Sequence, residues 1–267
     1  MKAGSNPTGI SMPPTLVQLI DWARAAGSIL RSGLGLEHTI DHKGEIDLVT
    51  EMDHRSEDYL IGQVRAAFPD HAIVSEEAGR LAGNQNRCWY IDPLDGTMNY
   101  AHGVPIFCVS IAYAEADQIR LGVVYDPMQA ECFSAERGKG AWLNGQPIHV
   151  NAQAGLDQAF LVTGFPYDLR HTAFNNIELF GRMMLTSQSV RRLGSAALDL
   201  SYIAAGRFDG YWEIRLKPWD LAAGALIVEE AGGVITSFDG DPNYLKPPYG
   251  IVAANPVLHP KLVKTLQ

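Results

Sequence analysis

The chain has 267 residues, 46% hydrophobic and 19% charged, which is enough apolar material for one large domain or two small ones sharing an interface. A net charge of −9 argues against a broad nucleic-acid or membrane surface, so an anionic substrate would need a local source of positive charge. The first residues are polar and too short for a signal peptide, and no apolar run approaches the ~18 residues a spanning helix needs.

Residues 1–12 read as a flexible tail. From Pro13 or Pro14 to about Ser32, Leu16, Leu19, Ile20, Ala23, Ala26, Gly27 and Leu30 fall on one stripe of an amphipathic helix. Residues 33–44 read as a mobile loop. A second helix near Met52–Phe68 uses Leu60, Ile61, Val64 and Phe68 and ends at Pro69-Asp70. His71–Ser75 is a short apolar strand that delivers Glu76-Glu77 to its end. From Cys88 to Val150 the chain is mostly strands: Phe107–Ala114, Ile119–Tyr125 and Glu131–Ala135 alternate well between turn residues. Cys88, Cys108 and Cys132 are odd in number, widely spaced and set in strand-like contexts, which suits reduced core thiols in a reducing cytoplasm. Gly138-Lys-Gly-Ala lacks the Gly-Lys-Ser/Thr ending of a phosphate loop and reads as a turn. After Asn151, strands (Phe160–Gly164, Ser189–Arg191, Asp209–Trp212, Ile251–Ala254) alternate with helices (Ala173–Leu185, Ser195–Ala205, Trp219–Ala231, and a last one from Pro256). The expected class is α+β, with a strand-rich N-terminal subdomain (13–150) holding most candidate ligands. An alternating C-terminal α/β subdomain (151–267) completes the site.

Four acidic clusters stand at segment ends: Asp47 to Asp53, Glu76-Glu77, Asp92-Pro-Leu-Asp95, and Asp220 at the start of a helix. Each has a plain structural reading. Asp220 fits a helix N-cap, Glu76-Glu77 a solvated loop pair, and Asp53 a favourable charge on a helix dipole. Asp92 and Asp95 are harder to explain structurally, because carboxylates placed after a buried strand repel one another unless a cation lies between them. All-oxygen donors without clustered Cys or His point to Mg²⁺ or Mn²⁺ rather than structural zinc. Gly96 and Thr97 follow at once, a tight turn whose N–H groups can face an anion. Metal-assisted attack on a phosphate is the chemistry this pattern suggests. The eight histidines are scattered and read as surface or loop residues, Arg191-Arg192 as a solvated pair, and Trp219 as packing beneath Asp220.

Taken in order, Asp47-Leu-Val-Thr-x-x-Asp53, Ser75-Glu-Glu77, Asp92-Pro-Leu-Asp-Gly-Thr-x-Asn-Tyr100, Gly194-Ser-Ala-Ala197, Trp219-Asp-x-Ala-Ala-Gly224 and Glu229-Glu-Ala-Gly-Gly233 span almost the whole chain. In this the sequence resembles the inositol monophosphatase family, within the lithium-sensitive, Mg²⁺-dependent phosphatase superfamily. The resemblance implies a layered αβαβα sandwich, a homodimer, and inhibition by Li⁺. It implies that Glu76, Asp92 and the Leu94 carbonyl hold one Mg²⁺, that Asp92, Asp95 and Asp220 hold a second, and that a third sits near Glu76. Asp53 and Thr97 would polarise the attacking water, and Lys43 in a mobile loop would order water near the ions. Gly96 and Thr97 N–H groups would receive the phosphate, while Asp95, Gly194, Ser195, Ala196, Glu213 and Asp220 would meet the substrate. The implied substrate is inositol 1-phosphate or a related polyol phosphate. The runner-up is fructose 1,6-bisphosphate, for which Arg170, Arg215 and Lys217 are available cations, or another small phosphate ester of the superfamily. From a different class, some family members assist RNA polymerase or ribosomal RNA processing, and Arg191-Arg192 would suit such a contact.

Overall fold

Thr15 starts the first helix by a reciprocal cap: its hydroxyl accepts from Gln18 N (3.3 Å) and Gln18 Oε1 accepts from Thr15 N (3.0 Å). The computed structural model describes residues 12–36, the backbone of 40–42, and residues 48–267. Lys43 and all but Met12 of the expected tail lie outside these residues.

Helix α1 (Leu16–Gly33) buries Leu19, Trp22, Ala23, Ala26, Gly27 and Leu30, a repeat of three to four residues that makes one apolar face. Strands β1 (Ile40–His42) and β2 (Leu48–Thr50) pair antiparallel, and α2 (Glu51–Ala67) follows directly. Next come β3 (His71–Ser75), β4 (Gly79–Leu81), β5 (Asn84–Asp95), the short α3 (Thr97–Ala101), β6 (Cys108–Glu115), β7 (Gln118–Asp126), β8 (Glu131–Glu136), β9 (Gly140–Leu143) and β10 (Gln146–Pro147). Eight of these strands form one sheet in the order β10-β9-β8-β7-β6-β5-β3-β4. Only the β3–β5 pair in it is parallel.

The rest of the chain supplies β11 (Phe160–Thr163), α4 (Ile177–Thr186), β12 (Ser189–Arg191), α5 (Ala196–Ala204), β13 (Gly210–Glu213), α6 (Pro218–Glu230), β14 (Val234–Ser237), β15 (Ile251–Ala254) and α7 (His259–Leu266). The five strands order as β12-β11-β13-β15-β14. Three large apolar cores hold five layers together. Leu19, Leu30, Met52 and Leu60 press α1 and α2 onto Ile73, Trp89 and Ile91 of the large sheet. Helices α5 and α6 fill the space between the two sheets, and α6 is buried continuously from Leu221 to Val228. Leu179, Met183, Leu258 and Leu262 set α4 and α7 on the far face of the smaller sheet. The fold is therefore α+β, layered αβαβα. No helix among the described residues is long and apolar enough to cross a membrane.

Some local readings need correction. The helix expected from Ala173 begins only at Ile177, because Asn176 takes a left-handed backbone (φ 71°) that stops it. The last helix begins at His259 rather than Pro256. Two histidines are core residues, not surface ones. His71 stacks on Phe68 and Tyr113 and accepts a bond from Trp89 Nε1 (3.1 Å), and burial pushes its pKa down. His259 is buried with Nε2 3.1 Å from Thr236 Oγ1.

Candidate active site

Residues three apart on a regular strand face opposite sides, so Asp92 and Asp95 need a local irregularity to share a site. The β5–β6 register supplies it. Asp92 pairs with Ser110 but Asp95 with Cys108, which leaves one extra residue on β5. Such a bulge re-aims side chains at the end of a strand. Both acids then line one cavity of about 210 Å³, together with Glu76 from the end of β3 and Asp220 from the first turn of α6. Gly96, Thr97, Gly194, Ser195, Ala196 and Glu213 line the same cavity. Of the residues expected to act in the site, Asp53 stands behind this wall and Lys43 lies outside the described residues.

Each acid is oriented by its own element. Asp220 is the third residue of α6 rather than its N-cap, and its Oδ2 accepts from Lys217 N (2.7 Å). Asp95 Oδ2 accepts from Ser195 Oγ and from Ala197 N, both at 2.7 Å, which ties β5 to the start of α5. Asp92 Oδ1 accepts from Leu94 N (3.1 Å). Gly96 has φ 101°, and a Cβ there would come within 2.9 Å of the Ile106 carbonyl, so only glycine makes this turn.

Asp53 does more than favour a helix dipole. Buried at the start of α2, its Oδ2 accepts from Thr50 N (2.8 Å) and Thr50 Oγ1 (2.7 Å). Its Oδ1 lies 2.9 Å from Thr97 Oγ1, which is also 3.0 Å from the Leu94 carbonyl. Thr97 thus has two acceptors for one proton, and among the described residues it is what links Asp53 to the cavity.

The electrostatics record how closely the acids are gathered. Burial, and then the charges of Glu76, Asp95 and Asp220, hold Asp92 well above the usual carboxylate range. Burial, then Asp95 and Glu76, do the same for Asp220. Asp95 is raised by burial against its bonds from Ser195 and Ala197. Burial also lifts Glu213 to about 7, although the Tyr211 hydroxyl donates to its Oε2 (2.6 Å). Glu213 fits because Gly164 faces it: a Cβ at 164 would fall 2.1 Å from Oε2.

An all-oxygen donor set suits a hard divalent cation, and a cation would relieve the repulsion that raises Asp92. Among the described residues, no three His, Cys, Asp or Glu side chains stand in a closed ligating cluster. The four acids share a cavity and one another's field.

Three contributors escape sequence reasoning. Glu57, buried on α2, accepts from Glu77 N and Ala78 N (both 3.0 Å) and from the Ser75 hydroxyl, so it holds the turn carrying Glu76. Its place one turn after Asp53 was the available signal. Asp199 on α5 is buried, and its Oδ1 is the one buried side-chain oxygen among the described residues without a partner. Arg192, read as half of a solvated pair, lines the cavity, whereas Arg191 lies over the Phe160 ring.

The layered fold and this acid-lined cavity define a phosphatase of the metal-assisted class. The inositol monophosphatase family model matches residues 12–267, and the chain belongs to that family. An inositol-1-monophosphatase of Synechocystis sp. is 46% identical over 244 residues, covering 91% of this chain and 85% of its own length. The Nus factor SuhB of Escherichia coli (strain K12) is 43% identical over 248 residues, 92% of each chain. Among solved structures, the inositol monophosphatase of Anabaena (Nostoc) sp. PCC 7120 superposes with a TM-score of 0.86 at 42% identity, covering 94% of both chains.

Proposed function

We propose that this protein hydrolyses polyol phosphate monoesters with Mg²⁺ as cofactor, and that inositol 1-phosphate is its leading substrate. The observation that carries the reading is the convergence of Glu76, Asp92, Asp95 and Asp220 on one cavity walled by Gly96 and Thr97. Glu76, Asp92 and the Leu94 carbonyl would hold one ion, Asp92, Asp95 and Asp220 a second, and Glu76 would border a weaker third; Mn²⁺ is a candidate substitute. When bound, such ions lower the pKa of water and neutralise phosphoryl charge. The chain's own groups do the rest. Thr97 passes its proton toward Asp53, leaving its oxygen free to accept one from water. The N–H groups of Gly96 and Thr97 receive phosphate oxygens, and Asp95, Glu213 and the turn at Gly194–Ala196 meet the alcohol's hydroxyls. The related inositol-1-monophosphatase supports the choice of substrate.

The test is phosphate release by one preparation from inositol 1-phosphate, fructose 1,6-bisphosphate, histidinol phosphate, 3′-phosphoadenosine 5′-phosphate and NADP⁺, with and without Mg²⁺ and Li⁺. Turnover that is Mg²⁺-dependent, Li⁺-inhibited and fastest with inositol 1-phosphate is expected. No release from any ester overturns the reading. The buried, unpaired Cys88, Cys108 and Cys132 suit a reducing cytoplasm. A homodimer belongs to the same reading, supported by Ile177, Met184 and Leu185 exposed on α4 and checked by light scattering.

A second reading, contact with the transcription machinery, is favoured by relatives carrying the name Nus factor. Pull-down of RNA polymerase by wild type and by a metal-site variant tests it, and no enrichment removes it.

A further inference from the structure

Asn99 stands in the same motif as Asp92, Asp95 and Thr97, yet it is not one of the residues lining the cavity. It is half-buried on α3, two residues after Thr97. Its Nδ2 donates twice, to the Ile106 carbonyl (2.8 Å) and to the Leu193 carbonyl (2.9 Å). Both neighbours are acceptors, so the orientation of the amide is fixed and both of its N–H groups are used.

Those two carbonyls belong to the backs of two turns. The Ile106 carbonyl is the one that a Cβ on Gly96 would strike, so it supports the turn that faces phosphate. Leu193 precedes Gly194, whose carbonyl lies 3.3 Å from where that same Cβ would stand. A Cβ on Gly194 would in turn come within 3.1 Å of Asn99 Nδ2. The Gly96 and Gly194 turns therefore meet back to back, and one side-chain amide clasps both. Asp95 also spans them, through Ser195 Oγ and Ala197 N, but a bound cation would share its carboxylate. Asn99 is neutral, so its clasp holds whether or not ions are bound.

We infer that Asn99 is a positioning residue that fixes the separation of the phosphate-receiving turn, Gly96-Thr97, from the alcohol-meeting turn, Gly194–Ala196. It thereby sets which arrangement of hydroxyls the site accepts. This rests on the phosphatase reading above and deepens it. A polyol phosphate is gripped at both turns and must match the distance between them, and a misplacement of about 1 Å costs rate through lost orientation. An ester without hydroxyls is gripped at the phosphate alone and does not sense that distance. Loss of the clasp should penalise the first kind of substrate and largely spare the second.

The test compares inositol 1-phosphate with cyclohexyl phosphate, which keeps the ring and lacks its hydroxyls. Phosphate release with Mg²⁺ is followed in wild type, Asn99→Ala and Asn99→Asp. The aspartate is nearly isosteric but, when ionised, has no proton to offer either carbonyl. For wild type the ratio of kcat/KM, inositol ester over cyclohexyl ester, is expected at about 10 or more. In both variants the ratio should fall about tenfold, with the loss borne by the inositol ester. The Mg²⁺ midpoint should hold, because Asp95 keeps its bonds to Ser195 and Ala197. A wild-type ratio near one, or variants that keep the wild-type ratio, overturns the positioning role and leaves the phosphatase reading standing. Equal losses on the two esters with a weakened Mg²⁺ midpoint, or failure of both variants to fold, assigns Asn99 to the framework and also overturns it. No phosphate from either ester in wild type overturns both readings.

Discussion

Asp92 is buried to 2% exposure with the charges of Glu76, Asp95 and Asp220 around it. Asp92→Asn is expected to lower turnover at least ~10³-fold, about 4 kcal/mol of barrier. The metal-free variant should nevertheless melt no lower than wild type, because the substitution removes a repelled charge. Phosphate assay and calorimetry in chelator check both signs. Thr97→Ala should cost less, roughly 10–100-fold, and leaves Asp53 Oδ1 without its hydroxyl partner, as steady-state kinetics would show. Glu213 gives a pH signature. In the folded protein its pKa is pushed up to about 7, above the ordinary glutamate value of 4.5. Its contribution to metal-free stability is thus full below about 4.5 and lost as pH rises through about 7, in all about 3 kcal/mol. Urea midpoints at pH 5 and 8 should differ less in Glu213→Gln than in wild type. The acids were legible because their spacing makes little sense without a cation. Arg192 was not. Adjacent residues at a strand end leave on opposite sides, so one of two neighbouring arginines can pack on Phe160 while the other enters the cavity.

Helix α2 shows why elements matter more than motifs. Asp53, Ser56 and Glu57 stand at helical spacing on its buried face, and each reaches a different part of the site. Asp53 bonds Thr97, Ser56 Oγ donates to the Pro93 carbonyl (2.8 Å), and Glu57 gathers the turn at Glu77 and Ala78. One rigid rod thereby sets the spacing between β3, β5 and α3. Glu57→Ala removes the acceptor shared by the Ser75 hydroxyl and the Glu77 and Ala78 N–H groups and should destabilise by about 3 kcal/mol. Urea denaturation measures that loss, and a weaker Mg²⁺ midpoint should accompany it. The sequence announced the periodicity of α1 and the long strands, where one apolar face suffices. It could not announce the bulge in β5, which depends on how β6 pairs across from Asp92 and Asp95. Short strands such as β4 and β14 carry too few residues to show a period of two.

At the scale of the molecule, a chain of charge −9 concentrates four acids in one cavity between its layers. Cation binding should therefore be strongly coupled to folding. At 100 times its dissociation constant, Mg²⁺ is expected to add about 2.7 kcal/mol of stability. Scanning fluorimetry against Mg²⁺ concentration would record it, and the shift should vanish in Asp92→Asn. The acids are also dispersed along the chain, from Glu76 at the end of β3 to Asp220 on α6. Asp220 comes from the C-terminal half of the chain, so the N-terminal half by itself does not own a whole centre. During refolding, then, the return of phosphate release is a clock for the last docking event and lags behind the return of helix and strand signals. A nicked chain whose two pieces drift apart should fall silent while much of its secondary structure survives.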